Sequence, residues 1–204
     1  EDYSIVATKI GMLPTVEAIK TVAAFIERHQ LLNVVLDPVI RSSSGYDLID
    51  DDAKKLLLEQ LMPLATLVTP NLAEAIFFAE ASGSITEDLK VAARKIYEQI
   101  YRYSTQAKHQ AVLVKGGHLE GDPIDVLFDG QEFHEFQAPR IITRHTHGTG
   151  CTLSSAVAAL LARGFKIPEA VRQAKRYVSE AIRTAPGLGH GAGPLNHMIN
   201  GFEL

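Results

Sequence analysis

A single cysteine, Cys151, stands among the 204 residues, so no internal disulfide can form and a reducing, cytoplasmic setting is expected. No run of about 18 apolar residues occurs and the start is not signal-like, so no membrane span or export is expected. Positive charge is not in excess either. The 20 basic and 24 acidic side chains leave a net charge of −4, which argues against nucleic acid or anionic lipid as partners and still allows a local phosphate site. Repeats, low-complexity tracts and long linkers are missing. An initiating methionine is missing too: Glu1-Asp2-Tyr3 leads at once into the apolar stretch Ser4 to Ile10, so further residues are expected ahead of it in the native protein. What is present is an ordinary globular make-up, 46% apolar and 22% charged. At roughly 150 residues per domain, residues 1–204 are expected to form one domain with its own core.

The apolar pattern alternates between strand-like runs and helical spacing. Ser4–Ile10, Asn33–Leu36, Leu67–Thr69 and Ala111–Val114 read as strands, the last running into Lys115-Gly116-Gly117. Between them, Pro14 suits a first helical turn and Val16, Ile19, Val22, Ala23 and Ile26 recur at helical spacing; Asp51–Leu61 and the segment carrying Leu89, Ala92, Ala93, Ile96 and Ile100 are further helices. Ile124–Phe128 and Gln131–Phe136 flank Asp129-Gly130, a signal for a two-residue hairpin. Cys151–Arg163 and Pro168–Ala185 close the pattern as two helices, with Gly187 as a stop. Strands without polar alternation, separated by helices, specify an α/β fold: a mostly parallel sheet covered on both faces, with a small antiparallel portion.

In an open α/β sheet, ligands bind beyond the carboxyl ends of the strands. The segments there are Lys9–Met12, Asp37–Arg41, Thr69–Glu74 and Lys115–Gly117, joined by the turn Thr146–Thr152 ahead of a long apolar helix. Gly148 and Gly150 let backbone approach a ligand, and the helix that follows points unpaired N–H groups and a partial positive charge into the turn. That combination suits a phosphate; the other reading is a glycine turn capped by Thr149 and without a ligand. No Gly-Lys-Ser/Thr follows, so it is not a Walker A loop. Cys151, in the first helical turn, reads as a base or nucleophile favoured as its thiolate, or as a small buried hydrophobe. Lys115 reaches an anion in front of the sheet or lies solvated at a strand end. Asp37, Asn71 and Glu74 suit a magnesium-and-water shell; otherwise Glu74 is an acid at a helix start and Asp37 a strand-end turn residue. Gly187, Gly189, Gly191 and Gly193 follow a helix, not a strand, so they are no dinucleotide fingerprint. His145 and His147 lack further ligands at zinc-like intervals.

Taken together and in order, these segments resemble the hydroxymethylpyrimidine and phosphomethylpyrimidine kinases of thiamine biosynthesis, within the ribokinase-like superfamily. The resemblance runs through Lys9-Ile-Gly-Met-Leu13, Leu36-Asp-Pro-Val39 with Ser44-Gly45, Val68-Thr-Pro-Asn-Leu72 with Glu74, and Val112-Leu-Val-Lys-Gly-Gly-His118. It continues through Asp125-Val-Leu-Phe-Asp-Gly130, Thr146-His-Gly-Thr-Gly-Cys-Thr-Leu153 and Ala185-Pro-Gly-Leu-Gly-His-Gly191. It implies a three-layer αβα kinase domain that uses ATP and Mg²⁺ to phosphorylate 4-amino-5-hydroxymethyl-2-methylpyrimidine and then its monophosphate, as a homodimer. By the same resemblance Gly148, Thr149, Gly150 and Cys151 form the anion hole, with Cys151 the base facing the hydroxymethyl group. Lys115 contacts phosphate, and Met12 and Val39 wall the pyrimidine pocket. Asp37, Asn71 and Glu74 hold the triphosphate end of ATP, with Asp37 and Glu74 reaching Mg²⁺ through water. The family's leading strand and glycine-rich segment, with its pyrimidine-reading glutamine, are not among these residues. A pyridoxal kinase of the same fold and a non-catalytic pyrimidine sensor are the alternative readings.

Overall fold

Val34, Leu36, Val112 and Val114 face one side of a sheet and Val35, Ala111 and Leu113 the other, and all seven are buried. A strand buried on both faces has no polar alternation, which is why these runs are continuously apolar. The computed structural model describes residues 2–41, 46–80, 88–104, 110–117, 119, 121–199 and 201–202. Its six strands are β1 (Thr8–Ile10), β2 (Val34–Leu36), β3 (Leu67–Val68), β4 (Ala111–Lys115), β5 (Ile124–Phe128) and β6 (Phe133–Gln137). They pair in chain order, β1 to β4 parallel and β4 to β6 antiparallel.

Helices α1 (Val16–His29), α2 (Asp51–Leu56), α3 (Leu72–Glu80) and α4 (Leu89–Tyr103) cover one face. Helices α5 (Thr149–Ala162) and α6 (Ile167–Arg183) cover the other, which gives the expected three layers. Starts are set by side chains: Thr15 Oγ1 accepts from the Ala18 amide (3.2 Å), Asp50 Oδ1 from Ala53 (2.8 Å) and Asp88 Oδ1 from Lys90 (2.8 Å). Among the described residues no helix is long and apolar enough to cross a membrane.

The structure departs from the sequence reading at several points: Pro14 lies ahead of Thr15, the cap of α1, and not in its first turn, and a helix, α3, fills Leu72–Glu80. Ser4 to Val6 are exposed, so the first strand begins only at Thr8. The helix from Asp51 loosens into a π-turn over Leu57–Leu61 ahead of Pro63, whose ring cannot continue it. The hairpin pairs Phe128 with Phe133, leaving four residues in the turn instead of two. Asp129 Oδ1 accepts from the amides of both Gln131 (3.0 Å) and Glu132 (2.9 Å), and this local Asx arrangement takes those residues out of the ladder.

Candidate active site

Because β1 to β4 are parallel, their carboxyl ends lie along one edge of the sheet. Asp37 follows β2 directly, Asn71 stands three residues beyond β3, and Lys115 ends β4. The Lys115 amide donates to the Pro70 carbonyl (2.9 Å) and Asn71 pairs with Lys115 in a parallel bridge, so the ends of β3 and β4 are locked side by side.

Lys115 Nζ donates to Asp37 Oδ1 at 2.7 Å, with the Asp37 side chain 2% and the Lys115 side chain 14% exposed. Thr69 Oγ1 donates to the same oxygen (3.3 Å), and Ser154 Oγ of α5 reaches Asp37 Oδ2 (3.4 Å). A Cβ built on Gly150 would lie 3.2 Å from Lys115 Nζ and 3.9 Å from Asp37 Oδ2, so the ammonium stands directly under the first turn of α5. Gly148, at φ 82°, makes the left-handed turn that starts this helix, a conformation suited to glycine. Its carbonyl accepts the first intrahelical bond from the Thr152 amide (2.8 Å), while Thr149 turns its hydroxyl back to the Thr146 carbonyl (2.6 Å). The amides of Gly150 and Cys151 have no acceptor among the described residues. A lysine ammonium and free N–H groups at a helix N-terminus together favour a phosphate.

The Cys151 thiol is exposed and lines a cavity of about 380 Å³ with Thr152, Ser155, Ala159, Tyr177 and His197. It is neither buried under hydrocarbon nor part of the Lys115–Asp37 pair. Met12 is exposed and Val39 half-buried, just beyond β1 and β2, at the rim of the same edge. Ser44, Gly45 and His118, used in the sequence comparison, lie outside the described residues.

Asn71 and Glu74 form a capping box at the start of α3. Glu74 Oε2 accepts from the Asn71 amide (2.8 Å) and Asn71 Oδ1 from the Glu74 amide (2.9 Å). Burial pushes the Glu74 carboxyl up to about 7, against the pull of the Lys115 charge and the Asn71 amide, while the Asp37 charge adds to the rise. A buried carboxyl with only the Asn71 and Ile40 amides and one nearby cation is under-compensated, and it fits a hard divalent ion approached through water.

Four polar residues around this site were not singled out from sequence: Thr69, Ser154, Asp125 and Lys175. Thr69 and Ser154 hold Asp37. Asp125 Oδ1 accepts from the Gly116 amide (3.1 Å), and Lys175 Nζ of α6 donates to Asp125 Oδ2 (2.6 Å). Lys175 had a signal, being a charged residue among Val171, Ala174 and Val178 on the buried stripe of α6. Arg140 donates to the carbonyls of Gly117, Leu119 and Gly121 and ties down the loop after Lys115.

Comparison with known proteins now adds to this geometry. The family model described as phosphomethylpyrimidine kinase matches residues 1–196. The chain is 45% identical over 199 residues to the thiamine biosynthesis bifunctional protein ThiED of Geobacter sulfurreducens, covering 97% of this chain and 39% of that protein. It is 42% identical over 197 residues to a hydroxymethylpyrimidine/phosphomethylpyrimidine kinase of Streptomyces coelicolor, covering 97% of this chain and 70% of the relative. The pyridoxal kinase of Staphylococcus aureus in complex with AMP-PCP and pyridoxal superposes with a TM-score of 0.81 at 33% identity, over 94% of this chain and 67% of that one. The chain thus spans well under half of the bifunctional relative and about two-thirds of the others. An ordered set of strand-end motifs, a glycine turn over a lysine, and a family model matching nearly every residue agree: the chain belongs to the phosphomethylpyrimidine kinase family, a family of phosphotransferases.

Proposed function

We propose that the protein carrying this chain is an ATP-dependent kinase that phosphorylates the hydroxymethyl group of 4-amino-5-hydroxymethyl-2-methylpyrimidine and then the resulting monophosphate. One observation carries the reading: the Gly150 backbone lies against Lys115 Nζ, with an exposed Cys151 thiol next in the chain. Phosphoryl transfer is mostly positioning and charge neutralisation, and this arrangement supplies both.

In the first step the hydroxymethyl oxygen attacks the γ-phosphorus of ATP, the bond to the bridging oxygen of ADP breaks, and Cys151, acting as its thiolate, takes the hydroxyl proton on Sγ. Lys115 Nζ and the amides of Gly150 and Cys151 receive the charge that develops on the transferring group. Gly148 and Thr149 shape the turn that presents them. In the second step a phosphate oxygen of the monophosphate attacks. Its second pKa lies near ~6, so the nucleophile is already an anion at neutral pH and needs no base.

Asp37, held by Lys115, Thr69 and Ser154, orients the ammonium, and Asn71 and Glu74 face the triphosphate end of ATP. Glu74 and Asp37 would hold Mg²⁺ through water, and that ion supplies charge neutralisation on the phosphates. Met12 and Val39 wall the pyrimidine. The reading extends to a homodimer in the cytoplasm, which sedimentation and cell fractionation test.

A second reading, pyridoxal phosphorylation, is favoured by the likeness to the S. aureus pyridoxal kinase. Parallel assays of the full-length protein with ATP and either hydroxymethylpyrimidine or pyridoxal separate the two. The first reading expects a clear preference, in kcat/KM, for the pyrimidine. A preference for pyridoxal overturns it, and no transfer to either points to a binding protein.

A further inference from the structure

Three buried carboxyl groups, Asp37, Glu74 and Asp125, lie around Lys115, and only Asp37 holds it in an ion pair. Lys115 of β4 and Asp125 of β5 are direct cross-strand partners, and Leu113 and Leu127, two residues along each strand, pack against α5 and α6. Side chains two apart share a face, so Lys115 and Asp125 project to that same side, with Cβ atoms about 5 Å apart. An ammonium beside a buried carboxylate would ordinarily pair with it. Here it turns the other way, to Asp37 at 2.7 Å. Asp125 is already engaged: Lys175 Nζ stands 2.6 Å from its Oδ2, with both side chains 10% exposed or less, and the Gly116 amide donates to Oδ1. The buried row therefore runs Asp37, Lys115, Asp125, Lys175, with charges alternating and each carboxylate matched to its own ammonium.

We propose that Lys175 is a positioning residue: by occupying Asp125 it denies Lys115 that acceptor and directs it to Asp37 beneath the α5 N-terminus. The inference rests on the reading of Lys115 as the phosphate-contacting lysine. Removing the Lys175 charge leaves Asp125 buried and unmatched, and the nearest cation able to compensate it is Lys115. Lys115 then leaves the helix N-terminus, and phosphoryl transfer slows. Removing the Asp125 charge at the same time abolishes the competition, because an asparagine still accepts from the Gly116 amide and exerts no comparable pull on the ammonium.

The test compares wild type, Lys115→Met, Lys175→Met and Lys175→Met/Asp125→Asn in the full-length protein, measuring ATP-dependent transfer to the hydroxymethylpyrimidine. Lys175→Met is expected to lower kcat about 30-fold or more, with a much smaller change in KM for the pyrimidine, and the double variant to return to within about threefold of wild type. A buried pair that only holds the fold would regain its stability in the double variant as well, so kcat is taken per folded molecule, a readout that a purely structural role leaves unchanged in Lys175→Met. Unchanged kcat in Lys175→Met, or a double variant no better than the single one, overturns the proposal. If Lys175→Met does not fold, Lys175→Gln, which keeps a hydrogen bond to Asp125 without the charge, takes its place: a kcat per folded molecule that falls and returns on adding Asp125→Asn supports the proposal, and a kcat equal to wild type overturns it. Inactive wild type would instead refute the kinase reading beneath it, and full activity in Lys115→Met would refute the assignment of Lys115 as the phosphate-contacting lysine.

Discussion

Lys115 and Asp37 lie 78 positions apart in sequence and 2.7 Å apart in space, and the first turn of α5 rests on the pair they make. Such a pair, almost fully removed from solvent, has a double consequence: it fixes where a charge stands, and it makes either partner costly to remove alone.

Lys115→Met is expected to slow both phosphorylations by roughly 10²–10³-fold, since both move the same group past the ammonium. It is also expected to destabilise the fold by about 3–5 kcal/mol, because Asp37 is left buried without its counter-ion. Asp37→Asn added to it should restore most of the stability and none of the activity. Chemical denaturation beside steady-state assays checks this; recovery of turnover in the double variant would remove Lys115 from the reaction.

Cys151→Ala is predicted to cripple phosphorylation of the alcohol far more than that of the monophosphate. In the proposed mechanism the exposed Cys151, as its thiolate, is the base of the first step, while the second step has an anionic nucleophile of its own. Separate assays with each substrate read the ratio, and equal losses would mean that the thiol only shapes the pocket.

The pH dependence of stability should carry the mark of Glu74. Its carboxyl is raised from 4.5 to about 7, so between those values the folded chain holds a proton that the unfolded chain has released. Stability is therefore greatest below pH 4.5 as far as this group is concerned, falls as pH rises through 7, and levels off roughly 3 kcal/mol lower. Glu74→Gln is neutral throughout and still able to accept from the Asn71 amide, so it should lose less melting temperature than wild type between pH 5 and 8. Parallel pH profiles would show that Glu74 is not the group responsible, and retained Mg-ATP affinity in the variant would remove it from the nucleotide site.

Gly150→Ala is expected to separate stability from activity. Alanine favours a helix by about 1 kcal/mol over glycine, so melting should stay level or rise. Its methyl would stand 3.2 Å from Lys115 Nζ, in the space that the proposed mechanism gives to the transferring group, so turnover should fall at least tenfold. A variant that keeps full activity would show that phosphate does not approach this turn.

Much of this architecture can be read from residue patterns because local chemistry and tertiary structure agree. Val34–Leu36 and Ala111–Val114 are apolar on both faces and buried on both, and Gly148 marks the turn before α5. Where they part, a longer-range or side-chain effect decides. Helix α3 enters the sequence reading only as the helix start offered as the alternative role of Glu74, because Leu-Ala-Glu-Ala-Ile-Phe-Phe-Ala-Glu is apolar nearly all round, with no polar stripe to reveal a period. The Asp129-Gly130 dipeptide suggested two turn residues, but Asp129 captures two amides that a tighter hairpin would have left in the strand. At the site, strand-end residues were visible by their place in an α/β pattern. The partners that aim them, Thr69, Ser154 and Lys175, were not, because their meaning depends on which helix lies over which strand.

Helix α5 supplies that covering, and its place in the chain gives the molecule an order of assembly. The strands join in sequence, each beside the one made before it, but α5 reaches back across β1 and β2, more than a hundred residues upstream. As the polypeptide leaves the ribosome, Asp37 and Lys115 emerge long before the turn that rests on them. The turn ahead of α5 is thus a late addition, followed among the described helices only by α6, and a nascent chain that stops short of it leaves the Lys115–Asp37 pair without its cover.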